Sequence, residues 1–103
     1  MLMVDVTLYP RESGGRQTPI AEVGFGCSCK KQPEDRNTYK CRINFYNKYP
    51  IVPGETRRAD IFFLTGDDAE AAFLEAGKLY LYEGHIIGEA RTVARRGQRD
   101  RSQ

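Results

Sequence analysis

Apolar and polar residues alternate with a period of two along most of the chain, and each alternating run stops at a turn-forming residue. Residues 3–9 set Val4, Val6 and Leu8 against Asp5, Thr7 and Tyr9, the pattern of a strand with one face in a core, and Pro10 ends it. Residues 21–29 place Ala21, Val23, Phe25, Cys27 and Cys29 on one face and Gly24 and Gly26 on the other, which predicts a strand that bends as barrel strands do. The polar segment 30–37 predicts a turn. Residues 39–45 then carry Tyr39, Cys41, Ile43 and Phe45 inward against Lys40, Arg42 and Asn44. Two prolines and a glycine in 47–55 predict a loop, and 57–64 a fourth strand.

The period changes once. In "TGDDAEAAFLEAG" Ala69, Ala72, Phe73 and Ala76 fall at helical spacing, Asp67 is a capping residue and Gly77 a terminator, so a short helix is predicted over 68–76. Strands over 78–82 and 85–93 flank Glu83-Gly84, a tight hairpin signal, with His85, Ile87, Glu89 and Arg91 on a mixed outer face. Six short strands with one helical insert predict an all-β chain forming a closed or nearly closed antiparallel barrel.

Composition adds scale. A chain of 103 residues, 40% hydrophobic with six Tyr and five Phe, suits one domain with one modest core. No apolar run approaches the roughly 20 residues that span a bilayer, and the acidic start lacks a signal-peptide pattern, so a cytoplasmic protein with no membrane partner is expected. The net charge of +2 is uneven. Residues 94–103 hold four Arg against one Asp, which leaves about −1 for residues 1–93. The expectation is a barrel domain over 1–93 and a basic, disordered tail over 94–103.

Candidate chemistry is sparse. No G-x-x-x-x-G-K-S/T phosphate loop occurs, so no nucleotide is expected. Cys27, Cys29, Cys41 and His85 have the composition of a Cys₃His zinc site. The Cys-x-Cys pair misses the usual zinc spacing, and all three cysteines lie on apolar faces where a free cysteine acts as a small hydrophobe. Core packing, with no metal and no cofactor, is therefore the preferred reading and the four-residue set the alternative. The lone His85 has no accompanying Ser or Asp motif, and no enzyme is expected.

The stretch "SGGRQTPI" at 13–20 raises a more specific possibility. Gly14 and Gly15 permit positive φ angles that reverse a loop, Arg16 projects from it, and Thr18 before Pro19 is held extended toward the next strand. Gly-Gly-Arg-x-Thr-Pro, then "PIVPGETRRADIFFL" at 50–64, then "EGHIIGEARTV" at 83–93, in that order, resemble the third domain of elongation factor Tu over most of residues 3–93. The resemblance implies a six-stranded antiparallel barrel with no catalytic site, part of whose surface touches the T-stem of aminoacyl-tRNA. It departs at "GFGCSCKK", where the family carries an arginine and a glutamine before aromatic residues. The expected function is a non-enzymatic binding module that takes a protein partner or self-associates. One alternative is binding of tRNA-like RNA through Arg16, Lys30, Lys31, the Glu83-Gly84 hairpin, Arg95 and Arg96. Another is a decoy or immunity-type mimic of the factor.

Overall fold

The structure, a computed structural model, describes residues 1–21, 24–46, 50–64 and 67–95, except for the side chain of Asp67. It is a closed six-stranded antiparallel barrel with one short helix. The strands are β1 (Leu2–Leu8), β2 (Gly24–Lys30), β3 (Tyr39–Phe45), β4 (Thr56–Phe63), β5 (Lys78–Tyr82) and β6 (Ile86–Arg95), and the helix α1 (Asp67–Ala76) joins β4 to β5. The strand order around the barrel is β1-β4-β3-β2-β5-β6, with β6 returning to β1. Every strand is paired on both sides, although β2 meets β5 only over Ser28–Lys30.

The alternating residues fill the barrel as their period requires. Leu2, Val4, Val6 and Leu8 of β1 meet Ile43, Ala59, Ile61, Leu79, Leu81 and Ala90 in one buried cluster. The helix closes one end. Phe73 is fully buried there, stacked on Phe63 with centroids 5.2 Å apart and meeting Tyr39 edge-on at 5.3 Å. Gly77 ends the helix, donating its N–H to the Phe73 carbonyl. The inward face of α1 is Ala69, Glu70 and Phe73. Ala76, expected inward, is exposed, and Glu70 is buried because Arg95 and the Met1 ammonium neutralise its carboxylate at 2.7 and 2.9 Å.

Several local expectations are corrected. Ala21 is exposed and outside β2, while Ile20 bridges to Ile51. Residues 11–13 form a 3-10 turn that alternation alone did not indicate. Gly14 has φ +88°, but Gly15 is absent from the positive-φ glycines. Its need is space, since a Cβ there would lie 2.0 Å from the Tyr9 carbonyl oxygen. Ile87 is buried and not on an outer face: a register shift opposes Leu81 to Gly88 and Tyr82 to Ile86, so Ile87 is an extra residue turned into the core. Strand β6 runs to Arg95, two residues into the expected tail, and Arg96 with the rest of that tail lies outside the described residues.

Candidate functional site

Strand β2 carries different chemistry on its two faces, and its pairing register explains both. Gly24, Gly26 and Ser28 face outward opposite Asn44, Arg42 and Lys40 of β3, while Phe25, Cys27 and Cys29 face inward opposite Ile43, Cys41 and Tyr39. On the other side, Ser28 and Lys30 pair with Tyr82 and Tyr80 of β5.

The outer face of β2, here termed the trough, sets Gly24, Gly26 and Ser28 beside longer side chains of β3 and β5. Its floor is β2, where a Cβ added at Gly26 would find nothing within 4 Å. One wall is Lys40 and Arg42; the Arg42 side chain leans across the floor, its Nη1 lying 3.4 Å from where a Gly24 Cβ would stand. On the other side Tyr82 and Tyr80 flank Ser28 and Lys30, with the Lys30 ammonium 4.1 Å above the centre of the Tyr82 ring. Lys30, Lys40 and Arg42 have no ion pair among the described residues, and neither does Lys31 in the adjoining turn. On the opposite side of the barrel Arg58 is paired with Asp5, Thr7 with Thr56, and Tyr46 donates to Asp60. Uncompensated positive charge is thus gathered on the β3-β2-β5 face.

The inner face gathers the thiols. Cys27 and Cys41 are directly opposed in register, with Sγ atoms 3.7 Å apart, and Cys29 Sγ lies 2.8 Å from Cys41 Sγ. All three sulfurs fall within 4.8 Å of one another. Cys29 and Cys41 are buried and Cys27 half-buried. The thiols of Cys29 and Cys41 beside it, outweighing burial and aided by Arg16, push Cys27 down to about 5, the one thiol of the three shifted in that direction. Its neighbours move the other way: the sulfur of Cys27 beside them, reinforced by burial, raises both Cys29 and Cys41.

Other expected site residues have partners or turn positions within the barrel. Arg16 Nε bonds Glu83 Oε1 at 3.0 Å and its guanidinium lies 5.1 Å from the Phe25 ring centre. It fills the seam where β2, paired with β5 only over Ser28–Lys30, departs from that neighbour. Gly84, at φ +80°, makes the turn that presents Glu83. Thr18 and Pro19 are exposed and lead into the Ile20–Ile51 bridge. Arg95 is bound to Glu70. His85 is exposed in the β5-β6 turn and is not part of the thiol group, so the Cys₃His set reduces to its three cysteines.

Lys40 and Arg42 were legible only as the solvent side of an alternating strand. Their usable signal was the hairpin itself: Cys27 and Cys41 are equidistant from Glu34, which places Arg42 opposite Gly26 and Lys40 opposite Ser28. No protein-family model matches the chain, and no curated protein matches it.

Proposed function

We propose that this barrel is a non-enzymatic binding module whose ligand is an RNA backbone, held in the outer trough of β2. The observation that carries the reading is the set Lys30, Lys40 and Arg42, three cations without ion pairs among the described residues around a floor of two glycines and a serine. A floor without bulky side chains lets a chain of phosphates approach the strand, and basic side chains at its walls release counterions when they meet it. Tyr82 holds the Lys30 ammonium in place, which reduces the entropy lost on binding. The resemblance to the tRNA-touching third domain of elongation factor Tu supports the same class of ligand, with the contact moved to residues of this chain. Arg16 and Glu83 neutralise each other and belong to the scaffold.

The test is titration of labelled bulk tRNA with the full chain. Binding is expected to weaken at least 10-fold in Gly26→Glu, because an acid is placed among three cations at a site with room for a side chain. Arg16→Ala is expected to leave affinity within about 2-fold of the parent, as a residue outside the contact should. Failure to bind tRNA at low salt contradicts the reading and returns the search to a protein partner.

A further inference from the structure

Three cysteine sulfurs converge on the inner face of β2, below the trough and independent of any ligand there. We propose that Cys27, Cys29 and Cys41 form a three-thiolate site for one Zn²⁺ ion, with the fourth position open on the half-buried Cys27 side.

Strand geometry replaces the turn that usually brings zinc cysteines together. Residues two apart on a strand share a face, so Cys27 and Cys29 point inward together, and the register sets Cys41 opposite Cys27. A Cys-x-Cys pair in a loop lacks this convergence, but a Cys-x-Cys pair on a strand needs only a third thiol on its neighbour. With Zn–S bonds of about 2.3 Å, sulfurs around one ion stand about 3.8 Å apart. The Cys27–Cys41 separation of 3.7 Å already has this value, and all three sulfurs lie within 4.8 Å. The Cys29–Cys41 separation of 2.8 Å has to open by about 1 Å for the two sulfurs to share one ion.

Soft thiolates select d¹⁰ ions, and charge decides between them. Binding displaces the remaining thiol protons, and three thiolates on Zn²⁺ carry a single negative charge; on Cu⁺ they carry two. Arg16 at the adjoining seam is already held by Glu83, so the divalent ion leaves the smaller buried charge to compensate. Tyr39, Phe63 and Phe73 around the same end of the barrel exclude water from the inner side, so solvent reaches the ion only past the half-buried Cys27.

The experiment uses the full chain, reduced and stripped of metal under anaerobic conditions, then titrated with Co²⁺ and back-titrated with Zn²⁺. Expected are a cobalt–thiolate charge-transfer band and a tetrahedral d–d envelope saturating at one ion per chain, both erased by Zn²⁺. Cys41→Ala should lower Co²⁺ affinity by about 100-fold or more, since a first ligand matters at least as much as its outer partners. Because Cys41 is buried, Cys27→Ser at the half-buried position provides a second variant, expected to stay folded, to weaken binding and to lose intensity in the thiolate band. A reduced, folded parent chain that develops no thiolate band, or one whose band is unchanged in Cys27→Ser, overturns the proposal. A disulfide found in the isolated protein, followed by no metal uptake after reduction, overturns it as well.

Discussion

At the scale of single residues, two glycines and one tyrosine show how local chemistry is set by distant chain. Gly14 and Gly15 are neighbours with different reasons to be glycine. Gly14→Ala meets no atom but takes a positive φ, a cost of about 1–2 kcal/mol. Gly15→Ala places a methyl 2.0 Å from the Tyr9 carbonyl oxygen, which the backbone must move to relieve. It should therefore destabilise more, by roughly 3 kcal/mol or above; chemical denaturation of the two variants checks the order. Tyr9 is raised to about 12, first by burial and then by donating its hydroxyl to Glu89 at 3.0 Å. A phenol with a raised folded value contributes stability that is complete below its unfolded value near 10 and is lost as pH rises through 12. Stability should fall across that window more steeply in the parent than in Tyr9→Phe, as followed by urea denaturation at stepped pH. The cysteines differ similarly. In the reduced, metal-free protein Cys27 should be alkylated by iodoacetamide near pH 6 while the buried Cys29 and Cys41 remain intact, and peptide mass mapping reads this directly.

At the scale of elements, the strands were legible where alternation was uninterrupted. Residues 39–45 and 78–82 were placed to the residue because each runs cleanly between polar or glycine boundaries. The end of β6 was misplaced because Ala94 and Arg95 resemble the arginine-rich segment that follows, whereas Arg95 finds Glu70 on α1 and stays in the sheet. The face of Ile87 was misread because a bulge resets a period that sequence alone presents as continuous. The site was less legible for the same reason. Its trough and its thiol group are both properties of pairing between β2 and its neighbours, and no window of one strand contains them. The helix gives a direct check on this level. Phe73 anchors α1 between Phe63 and Tyr39, and Phe73→Ala should cost about 3–5 kcal/mol. By contrast Arg16→Ala should cost no more than about 1 kcal/mol, because its pair with Glu83 is partly solvated.

For the whole molecule, the account rests on an asymmetry. On the β1-β4 side Arg58 is paired with Asp5, whereas Lys30, Lys40 and Arg42 on the β3-β2-β5 side have no ion pair among the described residues. A net charge of only +2 conceals this arrangement, since the bulk composition averages over both sides. The measurement that tests it most directly is the salt dependence of tRNA affinity for the parent chain and for a Lys30→Ala, Lys40→Ala, Arg42→Ala triple variant. Three phosphate contacts predict that log K falls with log salt more steeply in the parent by about 2–3 in slope. Equal slopes for parent and variant, or an affinity that ignores salt, would contradict the trough as the binding surface.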